Sequence, residues 1–245
     1  MKSLLKSINV AAKGLVLLLR PGTWLGFMSH PSLFFYNVLG LSKYIATQKD
    51  KSVYNDFFTG TRDHNRRYNL YQHVLDTHNL SNEAIDYLEF GVCTGSSMKW
   101  WVGKNINPDT RFYGFDTFEG LPEDWGAAFK KGDMSAAIPD MNDNRVEFIK
   151  GLFQDTLPDF IMEKGLDKKR KKVIHLDADL FSSTLYSLST LNHLINEGDI
   201  ILFDEFNVPN HEYYAFRIYE KTFYRQLTLI GAVNNYYQAA FVVSK

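Results

Sequence analysis

A strand, a glycine turn and the start of a helix follow one another between residues 87 and 101, and this succession constrains the fold most. The stretch Tyr87–Gly95 (YLEFGVCTG) begins as an apolar strand and turns through Gly91 and Gly95. Such a turn directs free backbone N–H groups of the helix start toward whatever lies beyond the strand. Glycine allows backbone to approach a ligand that a Cβ atom would block. With Glu89 as an acceptor at the strand end, the stretch predicts a ligand site; plain packing is the alternative.

Beyond this turn, segments typical of strands alternate with segments typical of helices. Predicted strands cover 86–91, 111–116, 146–150, 173–178, 199–204, 226–233 and 238–244, and predicted helices cover 63–78, 95–105, 155–164, 183–196 and 211–223. This alternation predicts a parallel sheet with crossover helices. Asn234-Asn235 between the last two strands predicts a closing antiparallel hairpin. We therefore expect an α/β fold with a mostly parallel, seven-stranded sheet and helices on both faces.

Hydrophobic content, net charge and cysteine content limit the class of protein and its partners. A hydrophobic content of 45% and an aromatic content of 15% predict a folded globular protein. The net charge of −1 gives no reason to expect nucleic acid as a partner. The single cysteine, Cys93, excludes an internal disulfide and suits a reducing compartment. Within a tight glycine turn, we expect Cys93 to be a small buried filler and not a reactive thiol.

The predicted strands end in acids, and ligands of open parallel sheets bind beyond these carboxyl ends. The second strand ends at Asp116, where an acid can hold the two hydroxyls of a ribose. The segment after the third strand contains Phe153 and Gln154, which can flank a purine. The fourth and fifth strands run into Asp177-Ala178-Asp179 and Asp204-Glu205. The sequence thus predicts a cofactor site and an acidic site at one edge.

Four carboxylates at two neighbouring strand ends repel one another unless a cation or shared protons neutralise them. Carboxylate oxygens are hard ligands, which suits Mg²⁺, Mn²⁺ or Ca²⁺ and not zinc. Capping of the following helices is the alternative for one or two of the acids. His175, inside an apolar strand, is expected to be a satisfied core histidine.

The first 50 residues form a predicted helical appendage, with a boundary near Lys49-Asp50-Lys51 and a second domain over residues 51–245. At about 100° per residue, one narrow stripe of a helix over residues 2–20 gathers Lys2, Lys6, Asn9, Lys13 and Arg20. A wide apolar face and a basic stripe suit the plane of an anionic membrane surface. Packing on the domain, as a lid over the substrate, is the alternative. No run of the roughly 20 apolar residues that span a bilayer is present.

Five stretches taken together resemble the metal-dependent class I S-adenosylmethionine O-methyltransferases of the macrocin type. They are YLEFGVCTG, FYGFDTFEGLPEDW, FIKGLFQDTLP, LDADLFSST and GDIILFDEF, and they lie between residues 80 and 225. The resemblance implies a Rossmann-like class I methyltransferase fold and S-adenosylmethionine and Mg²⁺ as cofactors. It leaves the first 50 residues outside.

The resemblance also implies roles for individual residues. The cofactor would be held by Glu89, Gly91, Gly95 and Ser96 at its methionine end, by Asp116 at its ribose, and by Thr117, Phe118 and Phe153 around its adenosine. Asp177, Asp204 and Glu205 would bind the metal, Glu205 standing where the family usually has Asp. Asp179 takes the position of the general base, so Asp177 and Asp179 are the expected catalytic acids.

The implied function is Mg²⁺-assisted O-methylation of a hydroxyl on a sugar or glycosylated small molecule, because a metal and a carboxylate base activate a poor nucleophile. One alternative is a metal-dependent glycosyltransferase that uses Asp177-Ala178-Asp179. Another is a membrane-attached protein that keeps this fold without catalysis. An NAD dehydrogenase is disfavoured because the third glycine of Gly-x-Gly-x-x-Gly is missing. We expect a cytoplasmic protein. The sequence leaves open whether residues 2–20 make a peripheral contact with the inner membrane face and whether the protein is a homo-oligomer.

Overall fold

The computed structural model describes residues 2–48, 53–126 and 128–245. Its N-terminal segment contains α1 (Lys2–Leu19), α2 (Gly22–Leu25), a 3₁₀ turn (Gly26–Met28) and α3 (Ser29–Thr47). The domain boundary predicted at Lys49–Lys51 lies outside the described residues. In the described part of the chain, no helix is both long and apolar enough to cross a membrane.

The rest of the described chain forms one sheet flanked by helices. Its strands are β1 (Tyr54–Asn55), β2 (Ile85–Phe90), β3 (Arg111–Asp116), β4 (Val146–Lys150), β5 (Lys171–Leu176), β6 (Ile200–Phe203), β7 (Leu227–Val233) and β8 (Gln238–Val243). The strand order is β1-β7-β8-β6-β5-β2-β3-β4, and only the pairs that β8 makes are antiparallel. The mostly parallel α/β architecture and the closing hairpin are therefore confirmed.

The sheet has eight strands where the sequence predicts seven. The extra strand, β1, is two residues long and pairs with β7 through Tyr54↔Gly231 and Asn55↔Ala232. Two residues at a sheet edge carry too little alternation to be recognised in a sequence. Similarly, β5 begins at Lys171, two residues before the predicted strand, because Lys171 and Lys172 pair with Ile85 and Asp86 of β2. The ammonium group of the buried Lys172 donates to the carbonyls of Asp167 and Arg170.

Helices cover both faces of the sheet. The helices after α3 are α4 (Arg66–Thr77), α5 (Ser96–Lys104), α6 (Phe153–Lys164), α7 (Phe181–Leu191) and α8 (Glu212–Phe223). Leu70 of α4 and Trp101 of α5 belong to the hydrophobic cluster on one face. Phe160 of α6, Leu188 of α7 and Phe216 of α8 belong to the cluster on the other. This two-layer covering explains why β2 is buried along its whole length, as parallel strands between helices usually are.

The register of four neighbouring strands determines where the site lies. Phe90 pairs with Phe115 on one side and with Leu176 on the other, and Leu176 pairs with Phe203. The residues that follow these four in the chain therefore come out at the same edge of the sheet: Gly91, Asp116, Asp177 and Asp204.

Candidate active site

The turn after β2 requires glycine, and for a reason the sequence did not show. Gly91 has a φ of +93°, and a Cβ atom there would lie 1.8 Å from the carbonyl oxygen of Asp177. Gly95, at φ +74°, precedes α5, and a Cβ atom there would meet the ring of Pro139 at 2.8 Å. The glycines thus allow close approach of other parts of the chain, and Gly91 also lines the cavity described below.

Asp116 fastens the two loops on the β3 side of the site. One carboxylate oxygen accepts the N–H of Cys93 at 2.8 Å and the other accepts the N–H of Phe118 at 2.7 Å. Asp116 and Thr117 line the cavity. Phe118 has a φ of +55°, and its ring packs edge-on against Phe148.

Cys93 is exposed and lines the cavity, so the prediction of a buried filler is wrong. Its φ of +49° continues the turn that Gly91 begins, and its Sγ lies 3.8 Å from the carbonyl oxygen of Met134 in the loop above. Burial by neighbouring chain raises the pKa of the thiol, as do nearby acids, against a smaller opposing effect of the backbone at Thr94. A raised pKa leaves less thiolate, so the site does not activate this cysteine as a nucleophile.

Glu89, two residues before Gly91, is fully buried. The hydroxyl of Tyr87 donates to its Oε2 at 2.8 Å, and its Oε1 has no hydrogen-bond partner among the described residues. His175 is also buried, and its two ring nitrogens lie 2.9 and 3.2 Å from the hydroxyls of Tyr87 and Tyr71. The core role predicted for His175 is confirmed, and the Oε1 of Glu89 is a buried acceptor without a partner among the described residues.

The four predicted acids converge beyond β5 and β6. Asp177 and Asp204 extend the ladder, with backbone N–H groups that donate to Phe90 and Leu176 at 2.9 and 3.0 Å. Asp179 and Glu205 are buried beside them. Burial, followed by the charge of Asp204, raises the pKa of Asp177 and of Glu205 well above the usual value. The same two causes raise the pKa of Asp179 to about 7.

Arg67, on the first turn of α4, reaches into this acidic cluster. Its guanidinium lies 3.1 Å from Asp204 Oδ2 and 3.8 Å from Asp177 Oδ2. Burial alone would lower the pKa of Arg67, but Asp204 and the neighbouring negative charges outweigh it, and the pKa lies above the usual value. One guanidinium cannot neutralise the whole cluster, which also includes the buried Glu212, whose Oε2 accepts the N–H of Glu205 at 2.8 Å.

The acidic cluster fits a divalent cation. Asp204 Oδ1 and Glu205 Oε2 are buried and have no hydrogen-bond partner among the described residues. Such orphaned oxygens are costly unless a cation or proton satisfies them. Donor atoms of His175, Asp177 and Asp204 lie within 4.8 Å of one another. Because both nitrogens of His175 already face tyrosine hydroxyls, we assign the metal-binding potential to the carboxylates, whose oxygens suit Mg²⁺.

One cavity of about 470 Å³ lies along this edge of the sheet. Its Asp116 half is formed by the glycine turn and Asp116, and its acidic half by the carboxylates after β5 and β6. Of the predicted site residues, those that line it are Gly91, Asp116, Thr117, Phe153, Asp177, Asp179, Asp204 and Glu205. The predicted residues that do not appear among the described lining residues are Glu89, Gly95, Ser96 and Phe118. The loop after β3 contributes Trp125 and Phe129, whose rings stack at 4.9 Å.

The sequence did not point to the basic and aromatic wall of the cavity. Arg62, His64, Arg67 and Tyr237 line it, and the guanidinium of Arg62 lies 3.7 Å above the ring of Tyr237. A signal was present in Arg66-Arg67, two cations at the start of a helix, where the helix dipole disfavours positive charge. Only the fold brings them opposite the acids.

A family model described as Macrocin-O-methyltransferase (TylF) matches residues 133–238, a span that contains all the acids after β5 and β6. Over this span the chain resembles the TylF family. The family resemblance predicted from the sequence motifs is thereby confirmed.

One curated relative is the 8-demethyl-8-(2,3-dimethoxy-alpha-L-rhamnosyl)-tetracenomycin-C 4'-O-methyltransferase of Streptomyces olivaceus. It is 26% identical over 166 residues, which cover 58% of this chain and 61% of the relative. The chain thus matches about three fifths of the length of this curated relative.

Among solved structures, the calicheamicin methyltransferase CalS11 superposes with a TM-score of 0.58 at 20% identity, over 85% of this chain and 91% of that one. The O-methyltransferase NovP gives 0.53 at 22% identity, over 74% and 80%. At such identities the likeness concerns the fold, and the class I methyltransferase fold is confirmed.

Proposed function

We propose that this TylF-like protein transfers the methyl group of S-adenosylmethionine to a hydroxyl of a sugar or glycosylated small molecule, with assistance from Mg²⁺. One observation carries the proposal. In one cavity, the glycine turn and Asp116 lie next to a cluster of buried acids with unsatisfied oxygens. The curated relative, named as a 4'-O-methyltransferase of a rhamnosyl compound, supports the choice of a sugar acceptor.

In this proposal each half of the cavity has its own task. Asp116 would hold the ribose, Thr117 and Phe153 would flank the adenosine, and Glu89 Oε1, beneath Gly91, would take the methionine ammonium. Asp177, Asp204 and Glu205 would hold Mg²⁺, with Arg67 as a counter-ion. The bound cofactors would supply an electrophilic methyl group and a Lewis acid that makes the acceptor hydroxyl more acidic.

Asp179 would accept the proton of the acceptor hydroxyl. Its pKa of about 7 is near the value at which a general base is most effective at neutral pH. Trp125 and Phe129 stack on each other and form an apolar wall of the cavity. Contact of these rings with the acceptor would exclude water from the reacting atoms.

We also propose residues 1–50 as an N-terminal appendage to a methyltransferase domain over residues 51–245, and a cytoplasmic location. Helix α3 supports the division, since its second half packs on α8 while α1 is exposed along its described length.

The direct test is calorimetry with S-adenosylhomocysteine in Mg²⁺ and in EDTA, followed by transfer of labelled methyl from S-adenosylmethionine to a panel of rhamnosides. We expect micromolar binding, and transfer that falls about 10²–10⁴-fold in Asp179→Asn while S-adenosylhomocysteine binding is kept. The matched control is Asp140→Asn, an exposed acid outside the cavity.

Absence of S-adenosylhomocysteine binding in both buffers would overturn the proposal. Thermal stabilisation by UDP-sugars with Mg²⁺ in the same protein would then favour the glycosyltransferase alternative through Asp177 and Asp179. Binding of S-adenosylhomocysteine without transfer to any sugar would favour a protein that has kept the fold without catalysis.

A further inference from the structure

Helix α1 exposes an unusually apolar surface. Every described side chain of this 18-residue helix is exposed. Leu17 and Leu18 are 75% and 76% exposed, and Leu4, Val10 and Leu19 are each more than 60% exposed. Soluble proteins rarely leave contiguous apolar patches of this kind in water, so this face is suited to contact with another apolar medium.

The apolar surface continues past α1 into the aromatic residues of the following turns. Trp24 of α2, Phe27 of the 3₁₀ turn and Phe35 of α3 are 61%, 77% and 64% exposed. Tryptophan and other aromatic side chains favour the boundary between lipid headgroups and acyl chains. The apolar surface formed by α1, α2, the 3₁₀ turn and the first half of α3 is named the N-terminal surface below.

Charge indicates which apolar partner this surface fits. Residues 1–48 contain five Lys and Arg and no Asp or Glu, whereas the remaining chain has 22 Lys and Arg against 28 Asp and Glu, a net −6. On α1 the cations Lys2, Lys6 and Lys13 form a narrow stripe beside the apolar face, and Arg20 follows at its end. A narrow basic stripe on a wide apolar helix suits an anionic interface, where the helix lies in the plane of the membrane. A second copy of the chain would bring like charges together.

The part of α3 from Asn37 onward attaches the N-terminal surface to the edge of the sheet where the acids lie. Tyr44 packs edge-on against Phe206 and Phe216, and the amide of Asn37 donates to Asn210 at 2.9 Å. Asn210 lies in the loop between Glu205 and α8, at the edge of the sheet where the acids gather. A membrane contact by this surface would therefore hold the cavity edge near the lipid headgroups.

We propose that the N-terminal surface docks the protein on an anionic lipid bilayer, with α1 in the plane of the interface and Trp24 and Phe27 in the boundary layer. No described helix spans the bilayer, so the attachment is peripheral. Docking does not depend on the proposed methyl transfer. If both hold, the acceptor is a saccharide held at a membrane surface.

The first test is co-sedimentation of the full chain with vesicles of phosphatidylcholine containing 30% phosphatidylglycerol, and with pure phosphatidylcholine. We expect binding to the anionic vesicles that weakens as salt rises, since salt screens exposed charges. The variant Lys2→Gln, Lys6→Gln, Lys13→Gln, Arg20→Gln should bind on the order of 10²-fold more weakly, because each basic residue near an anionic surface contributes severalfold.

The matched control removes four exposed lysines from the rest of the chain, by Lys104→Gln, Lys131→Gln, Lys168→Gln and Lys169→Gln. This variant should keep at least a third of the wild-type affinity. Equal loss in both variants would overturn the proposal in favour of non-specific attraction by net charge.

A second test locates the contact. Vesicle lipids with brominated acyl chains quench only tryptophans that enter the bilayer, so quenching should disappear in Trp24→Phe and persist in Trp125→Phe. The alternative occupant, a second copy, is tested by light scattering after gel filtration. A stable dimer that binds no vesicles, or vesicle binding without quenching of Trp24, would overturn the proposal, and an unchanged circular dichroism spectrum and Tm would show that each variant is folded.

Discussion

The strand ends at Asp116 and Asp204 lie on one edge of the same sheet, yet they are satisfied in different ways. Both oxygens of Asp116 accept backbone N–H groups, from Cys93 and Phe118. At Asp204, Oδ2 pairs with Arg67, and Oδ1 has no partner among the described residues. The Asp116 half is thus held by its own loops, whereas in the acidic half Arg67 of α4 pairs with one oxygen of Asp204 and leaves the other unpaired.

The largest effect is expected where the two halves meet, at Gly91. In Gly91→Ala the new Cβ would overlap the carbonyl of Asp177 at 1.8 Å, at a φ of +93° that alanine disfavours. We expect a loss of at least ~4 kcal/mol of unfolding free energy, or a fall in Tm of more than about 10 °C. Thermal unfolding by circular dichroism measures it.

The control for this prediction is Gly103→Ala in α5, where nothing lies within 4 Å of the added Cβ. This change should leave the protein equally stable or stabilise it by up to ~1 kcal/mol. A Tm of Gly91→Ala within about 2 °C of the wild-type Tm is the size of a mild surface change. That result would show that the close approach of the two halves is not required.

Next in size is Arg67→Met, which tests the dependence of the acidic half on a cation. Removal of one partner from a buried ion pair leaves uncompensated charge, and we expect a loss of about 3 kcal/mol in EDTA. Mg²⁺ should restore most of this loss and should bind more tightly than to the wild type, because it no longer competes with the guanidinium. Thermal unfolding and calorimetry with MgCl₂ measure the two effects.

Arg66→Met is the matched control, since the neighbouring Arg66 pairs with Asp56 outside the cavity. It should cost about 1 kcal/mol or less and show no Mg²⁺ rescue. Equal Mg²⁺ responses in the two variants would contradict a metal site beside Arg67.

A smaller, local effect is expected for Asp116→Ala. The two backbone donors at Cys93 and Phe118 lose a charged acceptor, which typically contributes 1.5–3 kcal/mol. S-adenosylhomocysteine should bind about 10–100-fold more weakly, while Mg²⁺ binding is unchanged. A parallel loss of Mg²⁺ affinity would show that the two halves are not independent; Asp140→Ala, at an exposed position, provides the baseline.

The effect that is smallest per step, at most about 1.4 kcal/mol per pH unit for a single group, is a dependence of stability on pH. The raised pKa of Asp179, about 7, lies above the ~4 of an unfolded aspartate, so the folded protein holds a proton that the unfolded chain releases. Stability in EDTA should therefore fall as pH rises from about 4 to 7. Mg²⁺ and Asp179→Asn should each flatten this slope in Tm measured against pH, and a slope unchanged by either would contradict the shift.

Most of the fold was predictable because hydrophobic periodicity reports burial directly. The strands after residue 85 and the helices between them lie within a few residues of their predicted positions, and the acids at the ends of β5 and β6 follow from the parallel topology. Edge strand β1 was missed because two residues have no period, and Cys93 was misjudged because its exposure depends on a turn with positive φ.

The sequence by itself determined the class of fold, the edge of the sheet at which the cavity lies and the acids that line it. These features can be predicted from local pattern, since consecutive residues determine where a strand ends and where a glycine turn lies. Only the tertiary structure decided that Arg67 faces Asp204, that Gly91 makes room for the backbone of Asp177, and that α3 ties an exposed apolar surface to the cavity edge. These are contacts between residues more than 80 positions apart, and no local pattern records which distant side chains a fold brings together.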